Sequence, residues 1–340
     1  MLSIDGSYGE GGGQILRTAA ALSVLTKKPV EISNIRANRP NSGLKAQHYV
    51  AIKSVEELCR GKSEGLEIGS SQLVFKPGEI KGGKYKFDIG TAGSVPLVFQ
   101  TCLLSAVKTH EPITIKVKGG TDVRWSPSWD YINYVFLNLL QKMGLSINTQ
   151  LIKRGYYPKG GGEAILTINP SKDILPLFLD GKTKFSTVNG IINSANLPNE
   201  ISTRMKHAAI KTLLKKNLTT NIKIEEKPSP SAGIGITLWV QSNDAILGST
   251  VLGEKGVPAE KIGENAALQI LKDIDAGATI DTHAFDQMLP YFAIAQEKGS
   301  SCIVREVSNH AKTNMWLIKQ FFDADFEIKQ NEGTFKITLF

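Results

Sequence analysis

The chain has 340 residues, of which 41% are hydrophobic and 21% charged, an ordinary globular composition long enough for two domains and a sizeable core. Its three cysteines, Cys59, Cys102 and Cys302, are odd in number and lack metal-type spacing, which argues against a disulfide framework or a zinc site. The net charge of +8 favours a phosphate-bearing partner, although a lysine-rich solvated surface would give the same count.

Read in chain order, the opening residues carry acids where a signal peptide would need a basic and then an apolar stretch. No apolar run approaches the roughly 18 residues that cross a bilayer. The expectation is a cytoplasmic protein without a membrane segment. Residues 4–32 read as a strand ending at Asp5, a glycine-rich turn, an apolar helix over 14–25 and a strand from Val30. Helical spacing continues over 46–59, followed by short apolar strands at 66–68 and 73–75. Residues 87–117 repeat the opening pattern at a constant offset that pairs Asp5 with Asp88, Thr26 with Thr109 and Pro29 with Pro112. A second helix at 129–143 and strands at 145–152 and 163–168 complete that copy.

Residues 182–277 differ in texture, with a basic stretch from Arg204 to Lys216, a proline-broken loop after Lys227 and a helix over 258–274. They read as an inserted small α/β domain. A third, looser copy begins at Ile280-Asp281 and runs through a strand at 302–304, a helix at 314–322 and strands at 326–329 and 335–339. The predicted fold is therefore α/β (α+β): three copies of a two-helix, four-strand unit, plus a smaller insert. Residues 1–181 hold the first two copies and 278–340 the third.

Three groups of residues could carry chemistry. Gly9-Glu10-Gly11-Gly12-Gly13 opens the first helix, where free N–H groups favour anions. It is neither a Walker A loop nor a G-x-G-x-x-G fingerprint, and a tight turn would explain it equally well. Glu10 within an anion site makes sense if a divalent cation lies between carboxylate and phosphate. Arg36, Arg39 and Lys45 precede a predicted helix whose first turn holds Gln47 and His48, an arrangement suited to a terminal phosphate or simply a solvated loop. His310 follows a strand and could act as a nucleophile if its second ring nitrogen is held by an acceptor.

The segment Arg154-Gly155-Tyr156-Tyr157-Pro158-Lys159-Gly160-Gly161-Gly162 resembles the signature of the RNA 3′-terminal phosphate cyclases. Asp5-Gly6 with Gly9 to Arg17, Ile35-Arg36-Ala37-Asn38-Arg39-Pro40 leading to Gln47-His48, Gly119-Gly120-Thr121-Asp122, Asp286-Gln287 and the segment around His310 are similar to further motifs of that family. The family fold is a threefold repeat resembling the C-terminal domain of translation initiation factor three, with a small insert. The resemblance implies three steps: a histidine takes AMP from ATP, AMP passes to an RNA 3′-phosphate, and the adjacent 2′-hydroxyl closes a 2′,3′-cyclic phosphate.

It also implies roles. His310 carries AMP, and Glu10 contacts a divalent cation (Mg2+ or Mn2+). Gln100 and His283, Ala284, Phe285, Asp286 and Gln287 contact ATP, while Arg17, Arg39, Gln47 and His48 surround the phosphates of ATP or of the RNA end. His283 departs from the family, many members of which place a tyrosine against the adenine. Two other readings are a non-catalytic ribosome-biogenesis scaffold of the same fold and an enolpyruvyl transferase. His310 with Glu10 and Arg39 argues against the first, and the 154–162 signature against the second.

Overall fold

The computed structural model describes residues 1–181, 183–295 and 299–340. Strands β1 (Leu2–Asp5), β2 (Val30–Ser33), β3 (Lys62–Glu64) and β4 (Leu73–Lys76) form a sheet of order β1-β2-β4-β3, with helices α1 (Gly13–Thr26) and α2 (Ala46–Cys59) between them in sequence. β1 and β2 are parallel, a pairing that requires the crossover helix α1, and the other two pairs are antiparallel. The next sheet has the same form. It contains β5 (Gly83–Asp88), β6 (Ile113–Gly119), β7 (Ile147–Lys153) and β8 (Gly162–Ile168), in the order β5-β6-β8-β7. Its helices are α3 (Val95–Ala106) and a stretch of α4 (Trp129–Tyr131), a π-helical turn (Ile132–Phe136) and α5 (Leu137–Lys142). Every second residue of β8 is buried, which is the period of a strand with one face against helices.

A third sheet departs from the expected chain order. Its strands β14 (Ser301–Val304), β15 (Phe326–Asn331) and β16 (Thr334–Leu339) are joined by β9 (Phe178–Leu179), in the order β15-β16-β14-β9. The parallel partner of β14 is thus β9, and no strand begins at Ile280-Asp281 as the sequence suggested. Asp281 instead caps α8 (Thr282–Ile294), because its carboxylate accepts the N–H groups of His283 and Ala284. The strand expected at 66–68 is a turn with Ile68 exposed, and β3 pairs at 62–64 instead. The last helix, α9 (Asn309–Phe321), starts one turn earlier than its apolar spacing indicated, because Ser308 caps it.

The remaining sheet, of order β11-β10-β12-β13, contains β10 (Thr187–Ala195), β11 (Thr219–Glu226), β12 (Gly233–Gln241) and β13 (Ile246–Leu252). With α6 (Asn199–Leu214) and α7 (Ala259–Ala276) it encloses a second apolar core running from Val188 to Ala278, while the other three sheets share one continuous core. Its opposite face rests on the α4 region: Gly248 leaves room for the Tyr131 and Val135 side chains, and Ser128 Oγ lies 3.0 Å from Thr237 Oγ1. Lys182, the expected start of the insert, lies outside the described residues. Among the described residues, no helix is long and apolar enough to cross a membrane, and Cys59, Cys102 and Cys302 are buried and free.

Arg154 fastens this second core to the first. Its guanidinium donates to Asp122 at 3.1 Å, Asp130 at 3.0 Å and Glu225 at 2.8 Å, reaching a loop, α4 and β11 together. Arg154, Asp122 and Asp130 side chains are at most 3% exposed. Burial opposes the charge on Arg154, but Asp122 and Asp130 outweigh it and hold the guanidinium protonated. Removing the cation would strand two buried carboxylates. Arg154→Met is therefore expected to lower stability by about 3–5 kcal/mol, seen as a shifted denaturant midpoint. A midpoint unchanged from wild type would show that the pair is not needed to hold the two cores together.

Candidate functional site

The turn after β1 is held from several sides. Asp5 accepts the Ser7 N–H at 2.9 Å and Asn34 Nδ2 at 3.1 Å, while Asn38 Nδ2 donates to the Ser7 carbonyl. Gly9 and Gly11 have φ of 58° and 55°, left-handed backbone that a side chain would strain. Tyr8 stacks on Trp316 of α9, with ring centroids 3.9 Å apart. Glu10 is thereby delivered to the first turn of α9, where His310 sits.

His310 is accordingly a first-turn helical residue rather than part of a free loop. Its Nδ1–H donates to the side-chain oxygen of Gln14, and Gln14 Nε2 donates to the His310 carbonyl at 3.4 Å. In the neutral ring this leaves the lone pair on Nε2, which lies 3.1 Å from Glu10 Oε2. Arg39 Nη2 lies 3.2 Å from the same oxygen. Burial lowers the His310 pKa, with Arg39, His283 and Arg17 acting the same way against the raising effect of Glu10. Burial thus disfavours the imidazolium, the form that has no lone pair on Nε2.

α8 meets α9 beside this group. Ser308 accepts the Ala311 N–H and donates to the Asp286 carboxylate at 2.8 Å, while Asn314 Nδ2 donates to the Asp286 carbonyl at 2.7 Å. Burial and the nearby Asp281 and Glu10 push the Asp286 carboxyl up to about 8, against the Ser308 hydrogen bond. Gln100 of α3 donates to Gln287 of α8, so the two residues join across 187 positions of sequence. His283 is exposed, whereas Ala284 and Phe285 are fully buried and Phe285 is part of the core. What those two residues can offer a nucleotide is backbone.

His48 is 4% exposed, in the first turn of α2, and its Nδ1 accepts the Lys45 N–H at 3.3 Å. Its Nε2 fills the space where a side chain on Gly13 would stand, which explains glycine at the start of α1. Burial, then Arg17, Arg36 and Lys45, drive its pKa down to about 3. Arg17 is half-buried with a pKa lowered by desolvation to about 10, and it makes no hydrogen bond or ion pair among the described residues. Arg36, by contrast, is spent on its own loop, donating to the carbonyls of Asn41 and Gly43. Gln47 accepts the Ser94 N–H at 3.0 Å and ties α2 to the turn before α3.

The structure therefore brings Glu10, Arg39 and His310 into one contact group, with Arg17 and His48 at the adjoining starts of α1 and α2. Gln100, Asp286 and Gln287 form its neighbour across α8. Sequence reasoning gave no role to Gln14, Ser308 or Asp281. The last two stand in helix-capping positions that were legible, while Gln14 acts only through a contact 296 positions away. Among the described residues, no group of three or more His, Cys, Asp or Glu side chains is placed to hold a metal ion.

Comparison with known proteins gives one consistent result. A family model described as RNA 3′-terminal phosphate cyclase matches residues 8–328. The RNA 3′-terminal phosphate cyclase of Methanosarcina barkeri is 43% identical over 340 residues, covering 100% of both chains. That of Pyrococcus furiosus is 42% identical, over 98% of this chain and 96% of its own. That of Nitrosospira multiformis is 40% identical, over 99% and 96%.

The neutral His48 generates a pH prediction. Its folded pKa of about 3 lies below the unfolded value near 6.5, so the unfolded chain binds the proton first. Its contribution is complete above about pH 6.5 and is lost as pH falls towards 3. Between pH 6.5 and 5 this loss amounts to about 1.5 kcal/mol. Asp273 and Asp286, raised to about 6 and about 8, act with the opposite sign, so the comparison must be differential. The fall in unfolding free energy over that window should be about 1.5 kcal/mol smaller in His48→Asn than in wild type. Parallel curves would mean that His48 is not buried neutral.

Proposed function

The chain belongs to the RNA 3′-terminal phosphate cyclase family, and on that premise we propose that it makes RNA 2′,3′-cyclic phosphate ends through AMP carried on His310. The observation that carries this reading is the state of His310. The ring is oriented by Gln14 through Nδ1, its protonation is disfavoured by burial, and its Nε2 faces the Glu10–Arg39 group. That is the arrangement a nitrogen nucleophile needs.

In this mechanism Nε2 attacks the α-phosphorus of ATP and the bond to the bridging oxygen breaks, releasing pyrophosphate. An oxygen of the RNA 3′-phosphate then attacks the same phosphorus and displaces the imidazole. Finally the neighbouring 2′-hydroxyl attacks the RNA phosphorus, loses its proton and expels AMP. Activation is needed because a phosphate monoester repels nucleophiles and its oxygens leave poorly, while the 2′-hydroxyl is already held within reach.

Gln100, Asp286 and Gln287, with His283 and the backbone of Ala284 and Phe285, form the proposed nucleotide side. Arg17, Arg39, Gln47 and His48 form the phosphate side, where two helix starts add favourable dipoles. A hard divalent cation fits Glu10 as a single protein carboxylate beside phosphate oxygens, the usual pattern for Mg2+. When bound, it would neutralise triphosphate charge. We further read the three like-ordered sheets as copies of one unit. The third copy begins at β9 and resumes at α8, interrupted by the inserted domain at 182–277. Three buried free thiols suit a reducing cytoplasm.

With α-labelled ATP, wild type should retain acid-labile, base-stable label, and His310→Ala should retain none and lose cyclisation. Its unfolding free energy should stay within about 1 kcal/mol of wild type. Near-normal cyclisation by a folded His310→Ala would overturn the mechanism. Arg39 tests the division of phosphates. Although distant in sequence from His310, it shares Glu10 with it, so proximity cannot assign it to ATP or to RNA. Starting from isolated adenylylated enzyme, Arg39→Ala should slow AMP transfer to RNA by about ten- to a hundredfold, the effect of losing a charge-assisted pair. Failed self-adenylylation with normal transfer would place Arg39 at ATP instead.

A further inference from the structure

Two aromatic side chains stand out from adjacent loops without any packing reason. Trp125 is 95% exposed and Tyr157 is 77% exposed, the two most exposed aromatic rings among the described residues. Their loops run side by side: the N–H groups of Thr121 and Asp122 donate to the Gly155 carbonyl, and Asp122 bridges Tyr156 in parallel. Trp125 is three residues beyond that bridge, at most about 11 Å of chain. Its φ of 60° places a bulky side chain in left-handed backbone, an arrangement that costs energy and brings no burial in return. Lys159 stands exposed on the same loop as Tyr157, and Lys255 near by in sequence to Glu254, which pairs with Arg124 of the Trp125 loop at 2.7 Å.

Both loops lie against the turn that borders the phosphate side of the site. The Gly120 N–H donates to Gly93, and the Val95 N–H donates to Gly120. Gly160 packs so closely on Thr91 and Ala92 that a side chain there would meet their backbone. The other side of this turn is held by Gln47, next to His48. The loops that carry the exposed rings thus meet, at Gly120 and Gly160, the same turn that Gln47 holds at Ser94.

We propose that Trp125 and Tyr157 form a stacking platform for the unpaired bases next to the RNA 3′ end. This rests on the cyclase reading above and specifies how its RNA is held. Aromatic faces bind bases of any sequence, and flanking lysines hold the backbone without reading it, which suits an enzyme that acts on a terminal phosphate. Tyr157 lies within the 154–162 segment, whose buried Arg154 accounts for its structural half and leaves the exposed tip otherwise unexplained.

The test uses the full-length enzyme, ATP and a single-stranded RNA ending in a 3′-phosphate. For the double variant Trp125→Ala/Tyr157→Ala, KM for this RNA should rise about tenfold or more, with self-adenylylation by ATP alone at the wild-type rate. Trp125→Phe/Tyr157→Phe should restore KM to within about twofold. An RNA with abasic sites at its last nucleotides should bind wild type and the alanine variant equally. Unchanged KM in the alanine variant, or a change in KM for ATP without one for RNA, would overturn the platform. An undiminished difference on the abasic RNA would also overturn it. If wild type itself formed no cyclic ends, the cyclase reading would fail instead.

Discussion

The position of His310, the proposed nucleophile, rests on a series of polar contacts that starts at Arg154. Arg154 holds Asp130, and the next residue, Tyr131, donates its hydroxyl to Asp281 at 2.6 Å. Asp281 also accepts the Gly248 N–H from β13 and the two N–H groups that start α8. One turn along α8, Asp286 accepts from Ser308, and Ser308 caps the helix that bears His310. Arg154, Asp130, Tyr131, Asp281 and Asp286 are buried, where a missing partner costs far more than a present one contributes, and of their buried side-chain polar atoms only Arg154 Nε is left without a partner among the described residues. The two helix starts at the site are therefore fixed to the second core as well as the first.

That rigidity answers an electrostatic difficulty. The site gathers Arg17, Arg39 and Lys45 where the proposed mechanism binds polyanions, and a protonated histidine among them would be repelled. His48 responds by staying neutral, buried and accepting a backbone N–H, and burial disfavours protonation of His310, which is anchored through Nδ1. Helix starts reinforce the choice, because their dipoles disfavour imidazolium and favour phosphate. In the proposed mechanism a neutral His310 keeps the lone pair that attack on ATP needs, and the surrounding cations remain available to charge that arrives with the substrates. Asp286 follows the same logic in reverse, since burial beside Asp281 and Glu10 disfavours its charged form.

Much of this was legible in the sequence. Helix α2 was bounded correctly from spacing alone, and β4, β6, β8 and β16 were located within two residues, because their alternation is strong. The motifs named Glu10, Arg39, Gln47, His48 and His310 before any geometry was known. What spacing missed was local capping and remote pairing. Ser308 and Asp281 start helices through side-chain oxygens, a signal carried by one residue rather than by periodicity. β9 is only two residues long and pairs with β14 from the far side of the inserted segment, so no local pattern could reveal it. Phe285 was assigned with its neighbours as one block, yet a helix turns each successive side chain by about 100° and sends this one into the core.

The same non-local pairing decides what kind of object the site is. Gln14, which orients the His310 ring, belongs to the first helix, and His310 belongs to the last, 296 positions later. Gln100 and Gln287 meet across 187 positions, and Arg154 and Glu225 across 71. Contacts this distant are formed only after loop-closure entropy has been met by surrounding structure. No single sheet with its helices contains His310, its orienting amide Gln14 and the cations Arg17 and Arg39 together. A His310 anchored by Gln14 is consequently a property of the fully assembled chain, and an unfinished or locally opened chain holds a histidine without that anchor.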